Sequence, residues 1–101
     1  MSVTSEILEE LRYTVTHYKR NLREAESKEN ILTGWLSLES KDKSVLYNIK
    51  NERYIKETLE NRAEQHYNEA HRLFDRHKDD FEPNELKEAE ALMNKLEEFS
   101  N

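Results

Sequence analysis

The stretch LEELRYTVTHYKRNLREAESKENILTGWL, residues 8–36, decides the fold. Apolar or small side chains recur at Leu8, Leu11, Val15, Tyr18, Leu22, Ala25, Leu32 and Leu36, in steps that alternate three and four. Only Glu29 breaks the series, between Ala25 and Leu32. Such heptad spacing keeps one face of a long α-helix against a partner helix. The spacing predicts a first helix over about 4–38, roughly 35 residues and about 50 Å long at 1.5 Å per residue. Its expected start is Thr4 as N-cap, with Val3 stapled to Leu8 and Glu6 in the first turn. Gly34 either caps that helix or softens it at a cost of about 1 kcal/mol.

Downstream, the polar run Ser40, Lys41, Asp42, Lys43, Ser44 reads as a turn. A second helix is expected over about 44–81, with Val45, Ile49, Leu59, Ala63, Tyr67, Ala70, Phe74 and Phe81 on its stripe and Leu46, Ile55 and Leu73 widening it. Pairs such as Glu52 with Lys56, or Arg76 with Asp80, sit four apart and mark a solvated helical face. Glu82-Pro83 ends this helix, because proline disfavours helical geometry in the residue before it and suits the first turn of the next helix. A third helix over about 83–99 gathers Leu86, Ala89, Leu92, Met93, Leu96 and Phe99 on one side. The expectation is therefore one all-α domain over residues 1–101: a long antiparallel, coiled-coil-like helical hairpin, with a short third helix packing back on its open end. Residues 3–22, 60–81 and 84–99 would share a three-helix core.

Composition agrees with long solvated helices. Of 101 residues, 38% are charged and 35% hydrophobic, with one Gly and one Pro, against about 25% charged in ordinary soluble domains. Strands and tight turns lack their usual breakers. With no cysteine, disulfide frameworks and thiolate metal sites are excluded. Sixteen basic against 22 acidic side chains give a net charge of −6. No basic stripe tracks a phosphate backbone, so direct nucleic-acid binding is not expected. No run approaches the ~18 apolar residues of a membrane span, and residues 1–30 hold no signal-peptide core, so no membrane partner and a cytoplasmic location are expected.

Motifs for catalysis are missing. There is no HExxH, no ExxH, no GxSxG elbow and no glycine-rich phosphate loop. His66, His71 and His77 are spaced five and six apart and share no helix face, leaving His71 with Asp75 as a weak i,i+4 metal pair at most. His77 near a helix end suits the dipole. The carboxylates sit among Lys and Arg, without the apolar surroundings that raise a pKa for acid catalysis. No catalytic, cofactor or metal residues are assigned, and the chain is read as a non-enzyme. Tyr13, Tyr18, Tyr47, Tyr54 and Tyr67 with Arg12, Arg20, Arg53 and Arg62 form a set that stacks bases in single-strand binders, but helix-edge tyrosine more often covers core with its hydroxyl in water.

The surplus apolar groups lie at the turn end of the hairpin. Ile31, Trp35 and Leu38 fall off the heptad seam of the first helix, and Tyr47 and Tyr54 face away on the second. Together with Leu36 and Ile55 they form the candidate surface for a partner or a second copy, since monomers rarely expose large apolar patches and Trp and Tyr concentrate at interface centres. Residues 35–44 folding back as an internal cap is the other reading. The acidic side chains Glu85, Glu88, Glu90, Glu97 and Glu98 on the third helix are the alternative surface.

In general character the chain resembles the small acidic helical regulators of phages and mobile elements, which act by gripping one cellular protein. The leading expectation is a non-enzymatic interaction module, a homodimeric regulator or inhibitor that modulates a larger cellular protein, itself helical in the simplest case. The alternatives are an acidic decoy for the DNA-binding face of a basic protein, and a purely structural coiled-coil subunit. On the leading reading, Trp35→Ala or Leu36→Asp lowers affinity or oligomeric state far more than changes at Glu57 or Glu60 do.

Overall fold

A computed structural model describes residues 3–101, which form three α-helices: α1 (Val3–Leu36), α2 (Lys43–His77) and α3 (Pro83–Ser100). No strand occurs among the described residues. α1 and α2 pack along each other as an antiparallel hairpin, and α3 packs less extensively, more on α1 than on α2. The result is a rod of 60 × 19 × 18 Å with a radius of gyration of 18.3 Å. A globular chain of this length has a radius near 13 Å, so the heptad repeat has stretched the molecule.

The ends of the helices differ from the sequence expectation in instructive ways. Val3 and Thr4 are already helical, so Thr4 is not the cap, and the cap position lies outside the described residues. Val3 is 70% exposed and staples nothing. Gly34 lies within α1 in right-handed conformation, and no glycine has positive φ; it is not a left-handed cap. α1 stops at Leu36, where Ser37 closes back with its N–H on Thr33 O (3.1 Å) and its Oγ on Gly34 O (2.8 Å). α2 starts one residue early because Asp42 caps it, its Oδ1 accepting from Val45 N at 3.0 Å. α2 ends four residues early, at His77: Asp80 N–H turns back onto His77 O at 2.9 Å. That turn carries Phe81 out of the helix and into the core, where it is 8% exposed. α3 begins with Pro83 at its first turn and the Glu85 carboxylate reaching back to Glu82 N–H at 3.0 Å.

The core lies where three helices meet. Leu8, Leu11, Val15 and Tyr18 of α1 pack with Ala63, Ala70 and Leu73 of α2, Phe81, and Ala89, Met93 and Leu96 of α3. Leu11 and Leu96 are fully enclosed. The small residues Ala63, Ala70 and Ala89 let backbones approach, and the large ones fill the spaces between. Tyr67 and Phe74 lean on this core from its edge. α1 buries a second row, Ile7, Thr14 and Asn21, beside the heptad seam, since a helix touching two neighbours needs a wider apolar face than a two-stranded coil. Thr14 satisfies its hydroxyl on Glu10 O at 2.9 Å.

Beyond Leu22 the rod has two helices only. The buried apolar residues there are Ala25, Leu32, Ile49 and Leu59. Leu46, placed on the widened stripe of α2 by sequence, is 53% exposed and does not face α1.

Candidate interaction surface

The break in the heptad seam at Glu29 is a polar layer across the hairpin. Lys56 Nζ lies 3.1 Å from Glu29 and 2.9 Å from Glu60, and Lys28 Nζ lies 3.1 Å from Glu52 Oε2. The two carboxylates raise the Lys56 pKa, Glu60 more than Glu29. Glu52 Oε2 is enclosed, yet its approach to Lys28 lacks hydrogen-bond geometry. Exposed pairs of this kind contribute about 0–1 kcal/mol each, so this layer sets register more than it adds cohesion.

Apolar side chains stand outside that layer. Leu36 (46%), Ile31 (43%) and Leu38 (41%) are exposed on and beside the end of α1, with Trp35 half-buried among them. On α2, Tyr47 and Tyr54 are each 69% exposed and Ile55 is half-buried. The connection 37–42 does not cover them. It is a short link held by Leu38 N–H on Trp35 O (3.3 Å) and Lys41 Nζ on Leu38 O (2.7 Å), so the internal cap is absent. Shallow grooves run beside Tyr54, one lined by Leu46, Ile49, Lys50, Arg53 and Glu57, another by Tyr47, Lys50 and Asn51.

The acidic side chains of α3 do not act as one face. Glu88 is held by the Arg12 guanidinium (Nε at 2.7 Å). Glu85 is the capping carboxylate. Glu97 accepts from the Tyr67 hydroxyl at 2.8 Å and meets His71 Nε2 at 2.9 Å, and these bonds hold its pKa below the usual carboxylate value, Tyr67 first and His71 second. Glu90 and Glu98 are exposed. The tyrosines and arginines are likewise dispersed. Tyr18 is buried, its pKa pushed up by that burial despite the Ser100 hydroxyl beside it. Tyr67 holds its proton against Glu97. Arg12 is engaged with Glu88, leaving no continuous stacking platform.

Histidines also pair otherwise than their sequence spacing suggests. His71 meets Glu97 of α3, not Asp75. His17 faces His66 across the hairpin with ring centroids 5.7 Å apart, and Tyr13 lies over His17 at 4.0 Å. Burial, with the His17 charge second, depresses the His66 pKa. Sequence reading missed both the His17–His66 contact and the Glu97 hub, because each needs the register of one helix against another. His77 sits 3.6 Å from Asp80 at the α2 terminus. Among the described residues, no group of three or more His, Asp or Glu side chains is placed to hold a metal ion, and no helix is long and apolar enough to cross a membrane.

These features define a helical rod whose packed end is closed by α3 and whose two-helix end carries uncovered apolar groups. Comparison with protein families, with curated proteins and with solved structures finds no match to this chain.

Proposed function

We propose that this chain is a non-enzymatic helical interaction module, a small dimeric regulator or inhibitor that grips a larger cytoplasmic protein through its two-helix end. The observation that carries the reading is the exposure of Ile31, Leu36, Leu38, Tyr47 and Tyr54 at the end α3 does not reach. Water against such groups is unfavourable by about 25 cal/mol per Å² of apolar area, a term that partner binding recovers. The titratable groups support the non-catalytic part: Glu97, Glu88, Lys56 and Glu52 are tied into pairs that join helices. The resemblance to small acidic helical regulators supports the same class.

Light scattering across a tenfold concentration range, with Trp35→Ala and Leu36→Asp variants beside Glu60→Gln, tests it. The expected result is a mass above the monomer together with binding of a larger protein, and it is this binding that falls in the Trp35 and Leu36 variants and not in the Glu60 variant. Equal behaviour of all three removes the basis of the assignment. A monodisperse dimer that binds nothing further is the purely structural subunit. The acidic decoy has one feature in its favour: residues 23–60 hold seven basic and eight acidic side chains, whereas the remainder holds nine and 14, which puts a net −5 on the three-helix end. It requires a complex that weakens steeply with salt and with Glu90→Gln and Glu98→Gln.

A further inference from the structure

We infer that two copies of this chain associate by packing the outer faces of α2 antiparallel about a two-fold axis between Lys50 and Asn51, leaving Ile31, Trp35, Leu36 and Leu38 free for the regulated protein. This deepens the interaction-module reading and rests on it. Tyr47 and Tyr54 are seven residues, two helical turns, apart, on the side of α2 turned away from the α1-facing residues Ile49 and Leu59. Lys43 lies one turn before Tyr47, and Glu57 lies one turn after Tyr54. The stripe Lys43, Tyr47, Tyr54, Glu57 therefore reads as its own complement when reversed. About that axis, Tyr47 of each copy meets Tyr54 of the other, and Lys43 lands within about one residue rise, roughly 1.5 Å, of Glu57. An isologous contact demands this property, since one patch must fit itself.

Three further observations favour a second copy as occupant. The groove between Tyr47 and Tyr54, lined by Lys50 and Asn51, lies at the proposed axis, so the two rings that wall it in one copy are the ones brought against those of the other. Four tyrosines, each able to bury roughly 150–250 Å², supply much of the ~1,000 Å² that a stable contact needs. Charge also fits: the two-helix end is close to neutral, at seven basic against eight acidic side chains, and the antiparallel arrangement puts the two −5 ends at opposite extremes. About this axis the two Lys50 side chains meet on one flank and the two Asn51 side chains on the other, and the Lys50 ammonium groups extend along the rim into water.

Cysteine placement tests the register, because the chain has none of its own. Asn51→Cys is expected to form an intermolecular disulfide rapidly on mild oxidation, as is a mixture of Tyr47→Cys and Tyr54→Cys chains, whereas Arg76→Cys is not. Tyr54→Ala is expected to weaken self-association about tenfold or more. Lys43→Glu and Glu57→Lys each weaken it by about two- to fivefold, and combining both restores it. Helical circular dichroism of each variant confirms that it folds. A dimer that cross-links through Leu36→Cys but not Asn51→Cys overturns this register while keeping the module reading. A monomer at every concentration overturns the inference, and the module reading then stands or falls on the Trp35 and Leu36 variants against its partner.

Discussion

The two ends of this rod are built from the same two helices and differ in what the third helix supplies. At one end, α3 lets α1 bury two rows of side chains, and Leu11, Ala70, Ala89 and Leu96 lose all contact with water. At the other end, Ala25, Leu32, Ile49 and Leu59 form a single thin seam interrupted by Lys28, Glu29, Glu52 and Lys56. A pair of helices shields one stripe from each partner and no more. Off that stripe, Ile31, Leu36, Leu38, Tyr47 and Tyr54 stay largely in water until another molecule arrives. The packed end is thus suited to hold shape, and the thin end to change partners, and stability should divide between them accordingly.

Truncations measure that division most directly. Leu11→Ala or Leu96→Ala is expected to cost about 2–5 kcal/mol in denaturant unfolding, because the enclosed site cannot collapse around the lost volume. Leu32→Ala should cost about 2 kcal/mol or less, since the two-helix layer closes up or admits water. Equal losses at both ends would break the comparison. Hydrogen exchange sharpens it: amides of residues 8–20 and 63–73 should be protected up to the global unfolding free energy, and those of 24–36 and 45–56 should exchange through local opening.

Acidification acts on the packed end. The folded state keeps His66 neutral more strongly than the unfolded chain does, so the unfolded chain binds more protons as the pH falls. This share of stability is complete above the ordinary histidine value of 6.5 and drains as pH falls through the depressed folded value. The melting temperature should decline between pH 7.5 and 5.5, and His66→Asn should flatten that decline. Glu97 adds a separate loss at lower pH. Its pKa is depressed by Tyr67 and His71, so its contribution is present above 4.5 and disappears as the carboxylate protonates below that value. Glu97→Gln should remove this acid limb and loosen α3 from α2 while leaving the α1–α2 hairpin helical. The smallest effect belongs to the thin end: Gly34→Ala should stabilise by about 0.5–1 kcal/mol, because Gly34 is helical and an added Cβ would meet no atom within 4 Å.

Much of this architecture is legible in residue spacing alone. The three–four steps from Leu8 to Leu36, the Ser40–Ser44 run and Glu82-Pro83 give three helices and their order, because heptad spacing and proline act locally. Helix ends are less legible. Asp42 capping and the Asp79-Asp80 turn compete with helix continuation on margins of about 1 kcal/mol, and the burial of Phe81 weighs in that balance only once α3 is in place. The candidate surface was readable as surplus apolar residues off the seam. The dispersal of the acidic residues of α3 was not, since Glu88 and Glu97 are drawn off by Arg12, Tyr67 and His71 across long sequence separations.

By itself the sequence determined the periodic content of this protein: three helices in order, the apolar face along most of each, and that more apolar surface exists than two helices can share. Tertiary structure alone decided where α3 lies along the rod, and hence which apolar residues it covers and which charges find partners. The physical reason is that a helix fixes its own faces through bonds four residues apart, whereas the register between helices is chosen by packing and charge contacts among residues up to 76 positions distant.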